Sequence, residues 1–163
     1  MQRRAWLAAL TGAAALTGCG FQLRRAPELP FTTLYLSGFK PTSPMGVALR
    51  RALASSTGTR LVESRAQAEA IFEVLRDADE KSVVVSTSSI QVRELQLRTR
   101  LVFQLLNPSG RELIGRTEIL QTRDMSYKES DALAKEQEEQ LLYRAMQDDI
   151  ALQVLRRLAA VKV

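Results

Sequence analysis

Residues 91–106 carry the clearest periodic pattern in the chain, because apolar and polar side chains alternate there. The apolar side chains fall on odd positions, at Leu95, Leu97, Leu101, Phe103 and Leu105. The polar side chains fall on even positions, at Glu94, Gln96, Arg98, Arg100 and Gln104. This alternation predicts a long strand with one dry face and one wet face. A turn at residues 107–110 and a returning strand at residues 112–124 complete a predicted hairpin.

The segment before the hairpin begins with a predicted strand and a predicted helix. Residues 32–39 are rich in Thr, Leu, Tyr and Phe, which favours a strand. Ser43 followed by Pro44 is typical of an N-cap and a first helical position, so we expect a helix at residues 44–56. The predicted core face of this helix consists of Val47, Leu49, Ala52 and Leu53. Gly58 is placed to end the helix.

Three further strands are predicted between this helix and the hairpin, at residues 59–64, 70–77 and 81–87. The third contains three consecutive valines at residues 83–85, which is a strong strand signal. The acidic run at residues 77–80 predicts a polar kink or turn between the second and third strands. Residues 87–89 are predicted to form a loop.

The C-terminal segment predicts a helix that ends near Ala160, with Ser130 or Asp131 as its N-cap. It carries two apolar rows. One row contains Leu142, Met146, Ile150, Val154 and Leu158, and the other contains Leu141, Ala145, Leu152, Leu155 and Ala159. A helix that lies on a sheet needs only one such row. The second row therefore predicts a second contact, either with the first helix or with an external protein surface.

The order of these elements is strand, helix, strands, long hairpin and helix. This order predicts an α+β fold, a two-layer sandwich in which two helices pack on one face of a mixed sheet of about four strands. The other face of the sheet is predicted to be the polar one.

The composition of the 163 residues limits the chemistry that such a fold can carry. The chain has no histidine and one cysteine, which removes the usual metal sites, histidine-based catalytic triads and an internal disulfide. We expect no cofactor. An enzyme is not excluded by composition, but its acid–base groups would have to come from carboxylates, lysine or tyrosine. An acid pair at residues 77 and 79 or 148 and 149 is a weak alternative, because neighbouring acids point in different directions. The formal charge of +5 does not by itself indicate nucleic-acid binding.

The N-terminal residues have the features of a bacterial export signal. A basic head at Arg3 and Arg4 precedes an uncharged run of about a dozen residues, too short to cross a bilayer. The run ends in Leu-Thr-Gly-Cys, which resembles a lipobox and implies cleavage before Cys19 and acylation of that residue. The alternative is a buried core cysteine. We expect a signal peptide at residues 1–18, a lipidated tether at residues 19–30 and a single domain at residues 31–163.

Residues 19–24 read Cys-Gly-Phe-Gln-Leu-Arg, which resembles the mature start Cys-Gly-aromatic-x-Leu-Arg of the LptE family of lipopolysaccharide-assembly lipoproteins. The last helix agrees with the same family. The matching positions there are residues 132–135, Glu138, Glu139, Leu142, Met146, Asp149 and residues 155–158. The order of strand, helix and hairpin between the two ends also fits, so the resemblance covers nearly the whole mature chain.

The resemblance implies a non-catalytic lipoprotein on the periplasmic side of the outer membrane, anchored there by acyl chains. Gly20, rather than Asp, after the cysteine also favours the outer membrane. Such proteins plug the LptD β-barrel, help it assemble and assist lipopolysaccharide delivery to the cell surface. The implied state is a monomer in a one-to-one complex with LptD. The alternative function is an independent lipoprotein that binds or carries an amphiphile, for which an apolar cavity is needed.

Basic residues are the candidate contacts to lipopolysaccharide, because the guanidinium group makes paired charge-assisted hydrogen bonds to phosphates and carboxylates. Family members use a lysine at the start of the last helix, and Lys135 matches it by its Ala-Leu-Ala-Lys context. The other candidates are Arg93, Arg98, Arg100 and Arg116, with Arg123 and Lys128 beyond them. The family also uses an arginine in the loop before the long strand. Residues 86–89 contain none, and Arg93 could substitute for it. The alternative is that these charges form an ordinary solvated strand face.

Overall fold

The computed structural model describes residues 27–56, 58–86 and 92–162. The predicted signal peptide, Cys19, most of the predicted tether and the predicted loop at residues 87–89 lie outside the described residues. The division of the chain into signal peptide, tether and domain therefore stays a prediction.

The described residues form five strands and two α-helices. In chain order these are β1 (Thr33–Ser37), α1 (Pro44–Ala54), β2 (Arg60–Val62), β3 (Ala70–Ser86), β4 (Val92–Leu106), β5 (Glu112–Lys128) and α2 (Ala132–Ala159). The strands form one sheet in the order β2-β1-β3-β4-β5. Strand β1 runs parallel to β2 and β3, whereas β3, β4 and β5 form an antiparallel meander. The α+β prediction with a mixed sheet is confirmed, with five strands rather than about four.

Both helices pack on one face of this sheet and bury two apolar clusters beneath them. The main cluster joins α1, the C-terminal half of α2 and the sheet, and the rings of Phe72 and Phe103 stack in it at 4.7 Å between centroids. A smaller cluster lies under the first half of α2 and contains Leu95, Leu97, Met125 and Met146. The odd-numbered apolar positions of β4 are all buried, as the alternation predicts.

Helix α1 begins as its sequence predicts. Ser43 is the N-cap, and its Oγ accepts a 2.9 Å hydrogen bond from the backbone nitrogen of Gly46. The same hydroxyl donates to Oδ2 of Asp77 at 2.5 Å, which links the start of the helix to β3. The predicted core face is wrong at Val47, which is 46% exposed. The buried face is instead formed by Met45, Ala48, Leu49 and Leu53, whose spacing of three and four residues follows the helical period.

Strand β3 continues through the acidic run where the sequence predicts a kink or turn, so that prediction is wrong. The strand runs without a break from Ala70 to Ser86. The pairing of β3 with β4 shifts register at two places, Val74/Arg76 and Val83/Val85, as at a β-bulge. Asp77 and Asp79 accept hydrogen bonds from the N-cap of α1, from β4 and from α2, and these partners cannot be seen from the local sequence.

Helix α2 shows how its two apolar rows are used. Met146, Ile150, Val154 and Leu158 of the first row are buried under the helix. In the second row only Leu155 is fully buried, and it belongs to the main cluster beside residues of α1. Leu141 is 63% exposed and Leu152 is 49% exposed. Contact with α1 therefore accounts for only part of the second row.

Candidate functional site

Arg98 and Arg100 lie on the outer face of the sheet, opposite the face on which α1 and α2 pack. The side chains of Leu97 and Leu101 point into the apolar clusters, and side chains alternate along a strand, so the arginines point the other way. Nε of Arg98 donates to Oε1 of Gln96 at 2.8 Å. Arg100 forms an ion pair with Glu118 on β5. Both arginines are therefore already engaged with neighbours on this face.

Further polar pairs cross the outer face between neighbouring strands. Gln96 donates to Asp124 at 3.0 Å, and Gln104 donates to Glu73 at 2.6 Å. Arg76 pairs with Glu80 along β3 at 2.8 Å. An anionic ligand at this face would have to displace Glu118 from Arg100 and Gln96 from Arg98. Nε of Arg100 is buried and makes no hydrogen bond to the part of the chain that the structure describes.

Lys135 lies on the first turn of α2, in the helix layer. Its side chain is 18% exposed, and Nζ is 2.8 Å from Oε2 of Glu138. Since α2 covers the face of the sheet opposite Arg98 and Arg100, the structure does not bring Lys135 together with these arginines. One phosphate group therefore cannot contact Lys135 and the arginine pair at the same time.

The remaining basic candidates are spread over β4 and β5. Arg93 pairs in register with Tyr127, and Lys128 is the last residue of β5, so both lie at the end of the sheet where α2 begins. Arg116 is exposed on β5, near the shift in its register with β4. Arg123 is 3.5 Å from Asp149 on α2. Of the predicted set, only Arg93, Lys128 and Lys135 are gathered at one end of the molecule.

A shallow cleft of about 500 Å³ lies at this same end, between α2, β3 and β5. It is lined by Lys81, Tyr127, Ala132, Leu133, Glu136, Glu139, Gln140 and Tyr143. Sequence reasoning did not identify this site, because β3 and α2 are more than 45 residues apart in the chain and no local pattern shows that they meet.

Two contacts fix the floor of the cleft. Nζ of Lys81 donates to both carboxylate oxygens of Glu139, at 3.0 and 2.9 Å. The hydroxyl of Tyr143 donates to the backbone oxygen of Glu80 at 3.0 Å. Burial, together with the nearby charges of Glu139, Asp79 and Glu80, raises the pKa of Tyr143 to about 12. This tyrosine is therefore a neutral hydrogen-bond donor at any physiological pH.

The two acid pairs that the sequence offers as a weak sign of an enzyme make other contacts. Asp77 and Asp79 do not diverge as expected, because residues two apart on a strand share a face, and both face the helices. Asp77 accepts from Ser43, whereas Asp79 accepts from Thr99 and Gln147. Burial raises the pKa of Asp79 against the lowering effect of these two hydrogen bonds. Asp148 and Asp149 pair with Arg51 and Arg123 respectively.

Two further features concern metal sites and membrane-spanning helices. Within residues 27–56, 58–86 and 92–162, no three acidic, cysteine or histidine side chains are grouped so that they could hold a metal ion. Neither α1 nor α2 has the length and apolar character that a membrane-spanning helix requires.

Comparison with solved structures shows the same fold in other bacterial lipoproteins. The solution structure of lipoprotein B from Nitrosomonas europaea superposes with a TM-score of 0.72 at 33% identity, covering 86% of this chain and 91% of the other. The crystal structure of rare lipoprotein B from Shewanella oneidensis superposes with a TM-score of 0.66 at 22% identity, covering 79% and 95% respectively.

Sequence comparison leads to the family. The LPS-assembly lipoprotein LptE of Photorhabdus laumondii is 26% identical over 161 residues, covering 95% of this chain and 86% of the relative. The family model for LptE, described as lipopolysaccharide-assembly, matches residues 31–158. This match takes in both helices and all five strands except the last residue of α2. The chain therefore belongs to the LptE family of lipopolysaccharide-assembly proteins.

Proposed function

We propose that this chain is an outer-membrane lipoprotein that plugs the LptD β-barrel, helps it assemble and assists lipopolysaccharide delivery to the cell surface. Acyl chains on Cys19 hold it on the periplasmic side of the membrane. Family membership supports the role in lipopolysaccharide assembly. The relative from Photorhabdus laumondii, itself named an LPS-assembly lipoprotein, supports the lipid anchor, since it aligns over 95% of this chain.

The apolar surface of α2 is the observation that carries the proposed docking to a protein partner. Leu141 and Leu152 are the large, solvent-facing members of its second row, and α1 does not cover them. Burial of these two leucines against a partner would remove apolar surface from water and so stabilise a complex. This supports the external-surface interpretation of the second row, with the wall of the barrel as the partner.

Lipopolysaccharide contacts are proposed on two separate surfaces. Lys135 serves the helix side, close to the end of the sheet that carries Arg93. Arg98 and Arg100 serve the outer face of the sheet, and the exposed Arg116 extends the basic character of β5. Binding of a phosphate to Arg100 requires that Glu118 release the guanidinium group of Arg100. A doubly charged phosphate attracts that group more strongly than a single carboxylate does.

Copurification tests the proposed function. The tagged full-length chain is extracted from outer membranes in mild detergent, and we expect a β-barrel protein in equal amount and an acylated Cys19 by mass spectrometry. Replacement of Leu141 and Leu152 by aspartate reduces recovery of the barrel. The matched control is Leu120→Asp, which alters an exposed leucine on the outer face of the sheet.

The alternative, an independent amphiphile carrier, predicts a different result. In that case the chain elutes alone with bound lipid, and the leucine replacements leave its elution unchanged. The two described clefts, of about 330 and 500 Å³, are lined by mixed polar and apolar side chains. Neither of these two clefts is the enclosed apolar cavity that a carrier needs. An unacylated chain recovered without a barrel overturns the proposal.

A further inference from the structure

The cleft between α2, β3 and β5 combines apolar and aromatic side chains with polar and charged ones. Leu133 is 74% exposed, although it lies among the cleft-lining residues. Tyr127 and Tyr143 are half-buried, so part of each ring remains open to solvent. The carboxylate of Glu136 and the amide of Gln140 lie on exposed positions of the same helix. The cleft therefore presents apolar surface beside hydrogen-bond acceptors and donors.

The charges of the described residues that line the cleft disfavour an anionic ligand. Among the described residues that line the cleft, Lys81 is the single basic one, and its ammonium group already donates to both oxygens of Glu139. Glu136 then leaves the cleft with a net negative charge, which repels phosphate and carboxylate groups. A cationic ligand gains little from Glu139, because Lys81 already neutralises that carboxylate.

We infer that this cleft binds an uncharged sugar ring of an oligosaccharide. The inference rests on the proposed function, since it names the part of lipopolysaccharide that the helix side receives. A sugar ring has an apolar C–H face and a rim of hydroxyl groups. The C–H face packs on Leu133 and on the tyrosine rings, while the hydroxyl groups donate to Glu136 and accept from the Gln140 amide.

The structure then divides the recognition of one ligand between different surfaces. Uncharged sugar rings bind in the cleft, where acidic side chains disfavour phosphate. Phosphate groups bind the basic residues outside it, at Lys135 or on the outer face of the sheet. Lys135 lies on the same helix, but it is directed to Glu138 and does not line the cleft.

Titration calorimetry with a dephosphorylated core oligosaccharide, free of lipid A, tests the inference. The protein is the full-length acylated chain in detergent. We expect saturable binding, weakened about tenfold or more by Leu133→Ser and by Glu136→Ala. Both residues are exposed and make no contact on which the fold depends. The matched control is Gln137→Ala, an exposed neighbour on α2 outside the lining, and it leaves the affinity unchanged.

The possible outcomes separate this inference from the proposed function. If the oligosaccharide does not bind, or binds both cleft variants as tightly as the parent, the sugar site is overturned. Copurification with the barrel is scored on the same preparations. If the chain copurifies with the barrel but does not bind the oligosaccharide, only the sugar site is overturned. If the chain binds the oligosaccharide but no barrel copurifies with it, the sugar site stands and the proposed plug function is overturned.

Discussion

Gln147 on α2 donates a 2.9 Å hydrogen bond to Asp79 on β3, across the interface between the helix layer and the sheet. Thr99 on β4 donates to the other carboxylate oxygen at 2.7 Å. Gln147 and Thr99 are both buried, and an unpaired buried polar group costs about 1–3 kcal/mol. This trio therefore holds α2 at one position along the sheet, because a shift of one helical turn would leave these groups unpaired.

Asp79→Asn tests the opposite effects of burial and hydrogen bonding on the pKa of Asp79. Burial raises the pKa of Asp79, so the folded protein binds the proton more tightly than the unfolded chain does. The stability that this group contributes is then present at low pH and is lost as pH rises through the raised pKa. The asparagine variant has no such loss. We expect it to gain in unfolding free energy relative to the parent over that pH range, measured by urea denaturation. A difference that is constant with pH contradicts this account.

Gly38→Ala is expected to destabilise the protein by about 1–3 kcal/mol. Gly38 has a φ of 85°, and an added Cβ would lie 2.3 Å from the backbone oxygen of Val74. The matched control is Gly110→Ala, where φ is 87° but no atom lies within 4 Å of the new Cβ. Both variants carry the backbone strain, and only the first carries the clash. Equal losses in urea denaturation would show that the contact with Val74 has no effect.

Leu97→Ala is expected to lower the unfolding free energy by about 2–5 kcal/mol, because it leaves a cavity in the smaller apolar cluster. Leu97 is fully buried there beside Met125 and Met146. Leu133→Ala removes the same atoms from an exposed leucine and is expected to change stability by less than about 0.5 kcal/mol. Thermal unfolding of the two variants measures the difference. A small effect at Leu97 would mean that the first half of α2 contributes little to stability.

Lys135→Asp is expected to weaken lipopolysaccharide binding while leaving the fold intact. Reversal of the charge replaces attraction to phosphate by repulsion, and it also breaks the contact with Glu138. Lys40→Asp, at an exposed position before α1, is the control with the same change in net charge. Affinity is measured at moderate salt, and circular dichroism checks the fold. Equal affinity of the parent and the Lys135 variant would remove Lys135 from the binding site.

Local sequence patterns predict the secondary-structure elements that depend only on neighbouring residues. The alternation at residues 91–106 predicts β4 and assigns Arg98 and Arg100 to the polar face, because a strand has a period of two wherever it lies. Ser43 and Pro44 predict the start of α1, since capping depends on adjacent residues. The same reasoning predicts a turn at the acidic run in β3, and that prediction is wrong. The hydrogen-bond donors to Asp77 and Asp79 come from three other parts of the fold.

Local patterns in the chain were enough to predict the two faces of β4, the start of α1, the lack of histidine chemistry and the resemblance to the LptE family. Which surfaces meet depends on how the whole chain packs. The tertiary structure placed Lys135 and the Arg98–Arg100 pair on opposite sides of one sheet, and it formed the cleft in which Lys81 meets Glu139. The physical reason is the separation along the chain of the residues that interact. Periodicity and capping depend on neighbours within a few residues, whereas these contacts join segments tens of residues apart that pack only once the whole core is buried.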